Sequence, residues 1–159
     1  MIKFTDMSLS SRVWIYQSTR EFSENEIGLI KQKSEDFISD WTSHGKTMRA
    51  CIEIFHKRFI IVCVDETSIS ASGCGIDKSV KFIQKLEKEF NTSLLNRLNV
   101  AYRQPSLNNE VGEIITCHIS ELKSLLKLSE GKMGIIVFNN LVNTKEALEK
   151  SWEVPLEKF

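Results

Sequence analysis

Apolar side chains recur at helical spacing in some stretches and alternate or run together in others, and this pattern divides the chain into elements. Residues 12–17 (RVWIYQ) are β-branched and aromatic, as a strand requires. Ser23 and Glu26 then form a capping box, in which hydroxyl and carboxylate satisfy orphan backbone donors, and Phe22 and Ile27 stand where a hydrophobic staple belongs. Ile27, Ile30, Phe37, Ile38 and Trp41 follow near helical spacing. They predict a helix over about 24–43 that Gly45 stops, with His44 and Lys46 complementing its negative end. Two strands come next, 49–56 and 58–65, joined by a tight turn near Lys57. The first alternates Ile52 and Ile54 with Glu53, as an edge strand with one wet face does; the second contains FIIVCV, is apolar on both faces and has to be central. Ile76, Val80, Ile83, Leu86 and Phe90 mark a helix over 76–90, and 97–103 reads as a further strand.

Strand, helix, strand, strand, helix, strand is the βαββαβ order of a ferredoxin-like α+β sandwich, with its first and third strands central. Beyond Pro105 a polar loop leads into a C-terminal strand-helix-strand-helix extension. Its elements are a strand over 112–117, a helix over 119–129 with Gly131 at its exit, a strand over 134–138, and a last helix opened by a capping box of Asn143 and Glu146 and ended before Pro155. A single α+β domain over 1–159 is expected, with its core at about 12–104 and its extension at about 105–159. Two helices cover one face of such a sheet, so the C-terminal third or a second copy of the chain has to cover the other.

Composition narrows the partners. The 21 basic and 21 acidic residues are intermixed, and the absence of a basic stripe argues against nucleic acid. The longest apolar run, 60–64, is far short of the ~20 residues that span a bilayer, so no membrane partner is expected. Cys51, Cys63, Cys74 and Cys117 form no C-x-x-C pair, and residues 1–11 are polar, without the apolar stretch of a secretory leader. Reduced thiols in a cytoplasmic protein are the expectation.

Candidate chemistry centres on residues 68–79 (SISASGCGIDKS), between the apolar strand and the second helix. With a helix opening near Ile76, Cys74 lies at its N-terminus, where unpaired amides and the positive dipole end stabilise a thiolate or a bound anion and Lys78 adds charge. Gly73 and Gly75 let a ligand approach the backbone, and Asp77 and Ser79 complete the turn. The same residues also read as a glycine-kinked connection in which Cys74 fills a packing gap and Asp77 caps the helix. A nucleophilic Cys74 needs a base, and His44, His56 and His118 stand at no diagnostic spacing. Asp65 and Glu66 at the end of the central strand, with Asp77 across the loop and Glu53 on the neighbouring strand, could hold a divalent ion, but carboxylates at strand ends are ordinarily just solvated. Cys117 and His118, adjacent in a strand, point to opposite faces; neither a metal nor a cofactor is expected. Trp14, Tyr16 and Tyr102 lack the basic surroundings of an RNA-stacking sheet and read as core or interface aromatics.

Three fragments echo an ATPase: Gly45-Lys46-Thr47, the strand 60–66 ending in Asp65-Glu66, and 70–75 (SASGCG). A phosphate-binding loop needs G-x-x-x-x-G-K-[ST] between a strand and a helix, whereas here Asp40 holds the first glycine's place and the triplet follows a helix. The segments SRVWIYQSTREFSENE, WTSHGK, ASGCGIDKSVKFI, RLNVAYR and IIVFNNLVNTKEALEKSWEVP resemble a family of short, uncharacterised bacterial proteins, some labelled "ABC transporter ATPase", over nearly the whole chain. That resemblance implies likeness of fold and assigns no catalytic residue. The expectation is a non-catalytic module that binds a small anion or a protein partner, a homodimer included, around Gly73, Gly75, Asp77, Lys78 and Ser79. Its alternative is a thiol-dependent enzyme with Cys74 as nucleophile.

Overall fold

A strand with no wet face has to be covered twice, and the apolar run at residues 59–64 meets that demand from two different directions. The structure, a computed structural model, describes residues 2–43, 45–105, 110–128 and 134–159, apart from the side chains of Leu126 and Leu128. Along the chain it forms β1 (Arg12–Gln17), α1 (Glu24–Asp40), β2 (Thr42–Ser43), β3 (Lys46–Thr47), β4 (Arg49–Phe55), β5 (Phe59–Asp65) and α2 (Gly73–Phe90). Then come β6 (Asn99–Arg103), β7 (Ile114–His118), α3 (Ile119–Leu128), β8 (Ile136–Phe138), α4 (Lys145–Ser151) and β9 (Glu153–Pro155). The result is a mixed α+β fold with antiparallel sheets.

The first sheet has the order β1-β5-β4, antiparallel throughout, with Val62 opposite both Trp14 and Ile52. Side chains alternate along β5. Ile60, Val62 and Val64 point into a core filled by Ile30, Ile38 and Trp41 of the α1 region and by Phe82, Ile83 and Leu86 of α2. Phe59, Ile61 and Cys63 point the other way, onto Ala101, Phe138, Leu148 and Trp152. These last residues belong to or adjoin a second sheet, β7-β6-β8-β9, whose outer face (Val100, Tyr102, Val137) packs against Leu122 of α3. The layers therefore run helices, sheet, sheet, helix. No helix among the described residues is long and apolar enough to cross a membrane.

The order β1-β5-β4 is the first-third-second arrangement of the ferredoxin-like plan, which also puts the fourth strand on the free edge of β1. The hydrogen bonds place it elsewhere: β6 pairs with β7 and β8. Covering the second face of β5 requires a sheet of its own, and β6 is its centre. The free edge of β1 instead meets the segment before α4, through Val13 N–H to the Asn143 carbonyl at 3.0 Å and a bridge between Arg12 and Thr144. The extension also carries one strand more than expected, β9, and Pro155 is tolerated there because β9 is an edge.

Three boundaries differ for local reasons. α1 stops at Asp40, short of 43, because Trp41 turns inward and donates its indole N–H to the Gly75 carbonyl at 3.0 Å. Thr42 and Ser43 then pair with Lys46 and Thr47, so Gly45, at φ 76°, makes a hairpin turn and not a helix stop; His44 lies outside the described residues. β4 lacks the expected wet face over much of its length, since Cys51 on the side opposite Ile52 is buried against the second sheet. α4 is capped by Thr144, whose hydroxyl accepts from Ala147 N–H at 3.1 Å, while Asn143 serves β1. The predicted helix end at Ser129 and exit at Gly131 lie outside the described residues.

The capping box of Ser23 and Glu26 is formed as expected. Arg20 extends it, gripping both Glu26 oxygens at 2.8 and 2.9 Å and donating to the Phe90 carbonyl at the end of α2 at 2.5 Å. The Arg20 hydrogen bonds and the Ser23 N–H hold the Glu26 carboxyl down at about 2, against an ordinary 4.5. A depressed folded-state value stabilises the fold above pH 4.5, and that contribution is lost as pH falls through 4.5 towards 2. Glu26→Gln keeps the cap and removes the charge. Its deficit in urea unfolding against wild type is expected to be full near neutrality and to vanish by about pH 2; a deficit that survives there would mean the charge is not its source.

Candidate functional site

The turn that sequence patterning favoured is built, but its groups are largely engaged. α2 opens at Gly73, three residues before Ile76, with Ser72 as N-cap accepting from Gly75 N–H at 3.1 Å; Asp77 is not the cap. Gly75 is buried, with the indole of Trp41 against it and its carbonyl bonded to that indole. Ser79 is buried and donates to the Ile76 carbonyl, while Asp77 pairs with Lys81 at 3.1 Å. Lys78 is exposed and lines a groove floored by Phe37 and Phe82 between α1 and α2. Cys74 lies exposed in the first turn.

No histidine in the described residues stands by to activate Cys74. His56 lies at the opposite end of the β4–β5 hairpin, a strand length of about 20 Å away. It stacks on Trp152, and burial together with the Arg103 charge holds its pKa below the usual histidine value. The His118 Nδ1 is engaged by Ser120, and His44 lies outside the described residues. Cys51 and Cys63 face each other across β4 and β5; the hydrogen bond to Cys63 and burial push the Cys51 thiol up, which keeps it neutral. The four carboxylates are dispersed. Asp65 accepts from Thr67 and meets Arg49, which holds its pKa low, Glu66 accepts from Ala71 N–H, Asp77 meets Lys81 and Glu53 meets Lys31. Among the described residues no group of three or more such ligands converges.

A cleft of about 130 Å³ lies where β1 and β6 part company, and sequence patterning did not point to it. Its walls include Ile15 and Gln17 from β1, Leu94, Arg97 and Val100 from α2's exit and β6, and Phe138, Asn139 and Asn140 from the end of β8. Backbone alternation explains one wall. Val13 N–H points outward to Asn143, so the N–H groups of Ile15 and Gln17 point to the same edge, and no strand among the described residues pairs with them. Glu87 fixes another, accepting from the N–H groups of Leu94 and Leu95 at 2.7 and 2.9 Å.

The polar part of the cleft has a direction. The Trp152 indole is a donor only, and it donates to Asn140 Oδ1 at 2.9 Å; Asn140 Nδ2 then donates to Gln17 Oε1 at 2.9 Å. This order fixes the amide orientations and leaves Gln17 Nε2 as a buried donor with no partner. Asn96 and Asn139 have given their side-chain oxygens to Leu98 N–H and Leu141 N–H. Arg97 makes no ion pair among the described residues, and its charge reaches Tyr16, whose hydroxyl is pushed up by burial and drawn partly back by Arg97. No Asp, Glu, His, Cys, Lys or Ser among the described residues lines the cleft. It offers mainly donors and apolar surface, with the Asn99 amide also in the wall. Gln17 and the Asn139-Asn140 pair were visible in the sequence as polar residues closing apolar runs, but nothing in the spacing joined positions 123 residues apart.

Two outcomes follow. Asn140→Leu strands both the Trp152 indole and Gln17 Oε1, so urea unfolding should show a loss of about 1–3 kcal/mol, larger than that of Gln17→Met, which removes the orphan donor as well. In the native protein iodoacetamide should label Cys74 ahead of Cys51 and Cys63, which react only once urea unfolds the sheet; mass mapping of the peptides reads the order. No family model, curated protein or solved structure matches this chain, so its function has to be argued from this geometry.

Proposed function

We propose that this chain is a non-catalytic module that binds a small anion, with the cleft between β1 and β6 as the binding site. The observation that carries it is the one-sided polarity of the cleft: Gln17 Nε2 without a partner, an Arg97 guanidinium without a counter-ion among the described residues, and no acidic side chain in the walls. A buried donor left unmade costs about 1–3 kcal/mol, which an acceptor that reaches Gln17 Nε2 from the cleft would recover. Among the described residues the same walls hold no nucleophile and no side chain that titrates near neutrality, which favours holding a ligand over transforming it. The turn at residues 73–79 supports binding less well, since its cap, its buried glycine and its serine already have partners.

An amide-resolved NMR titration of the whole chain with acetate and phosphate separates the two places. Shifts confined to Ile15, Gln17, Arg97 and Asn140, and weakened by Arg97→Gln, are the expected result. Shifts confined to Gly73, Cys74 and Gly75 would move the site to the start of α2 and overturn the assignment to the cleft.

A further inference from the structure

We infer that the ligand of this cleft is a monocarboxylate with a compact apolar body, of the size of benzoate or a short branched-chain acid. The inference rests on the reading of the cleft as an anion site and narrows it on four grounds. The first is charge. Arg97 is the one cation among the described wall residues, so a single negative charge is matched and a dianion is not. The second is shape. A guanidinium presents two parallel N–H groups to the two oxygens of a carboxylate, while phosphate sites ordinarily gather several amides at a helix start.

The third ground is volume and lining. About 130 Å³ is close to the ~150 Å³ of an apolar cavity known to accept benzene, and Ile15, Leu94, Val100 and Phe138 supply the apolar wall for such a body. The fourth is what the cleft lacks. A free amino acid carries an ammonium that needs acceptors, but no carboxylate side chain is present among the described wall residues, and the side-chain oxygens of Gln17, Asn96, Asn139 and Asn140 already accept a hydrogen bond each, which leaves the Asn99 amide oxygen as the one uncommitted side-chain acceptor among them. A zwitterion would bring an ammonium to walls with a single uncommitted side-chain acceptor and no side-chain charge to match it. A simple acid brings only acceptors.

The test compares benzoate with its neutral isostere benzamide, with phenylalanine and with inorganic phosphate, by amide-resolved NMR on the full chain and on Arg97→Gln. Arg97 is exposed, so its replacement should leave the fold intact. The inference expects benzoate to perturb Ile15, Gln17 and Asn140 and to bind about tenfold more tightly than benzamide, with Arg97→Gln erasing most of that preference. Benzamide or phenylalanine binding as well as benzoate would overturn the carboxylate assignment and leave the cleft a site of another class. Phosphate binding there more tightly than benzoate would also overturn it while keeping an anion site. Silence of the cleft amides towards every probe up to about 10 mM would sink the anion reading itself.

Discussion

Everything in this fold answers to one strand that has no solvent side. Ile60, Val62 and Val64 need one cover and Phe59, Ile61 and Cys63 another, and a 159-residue chain supplies them as two helices and a second sheet. Burying a side chain of that size is worth about 1.5–3 kcal/mol, so leaving either face open would forfeit several such terms. The second sheet takes β6 as its centre, and this removes from β1 the neighbour that a four-stranded sheet would have given it. The cleft is the space left by that choice.

The two helices on the other face are held by ends as well as by sides. Arg20 joins the capping box of α1 to the last carbonyls of α2, so a cation sits at the negative end of one helix while Glu26 sits at the positive end of the other. At the far end Trp41 closes α1 and bonds the first turn of α2 through Gly75. The turn with Cys74 is thus fastened by packing at Gly75, against which the indole lies, while Gly73 faces open space.

Local chemistry was legible in the sequence and long-range choices were not. Ser23 with Glu26, the double-faced 59–64 run and the β4–β5 hairpin are written in neighbouring residues and stand as expected. The end of α1 was missed because the pull on Trp41 comes from a carbonyl 34 residues away. The partner of β6 was missed because strand patterning fixes which face of a strand is apolar and leaves open which sheet it joins. The cleft follows from that same decision, and its polar chain of Trp152, Asn140 and Gln17 gathers residues that share no motif.

The small cap on β1 by Asn143 and Thr144 bears on how copies of this chain behave towards one another. An uncapped strand edge is a template on which another chain can lengthen the sheet. Here the first part of that edge is bonded shut and the remainder is recessed between two sheets, beside Leu141 and Arg97. The cap closes only the start of β1 to further pairing, and it is made by a segment that arrives more than a hundred residues later in synthesis. Until that segment emerges from the ribosome, the start of β1 lacks the partner that closes its edge.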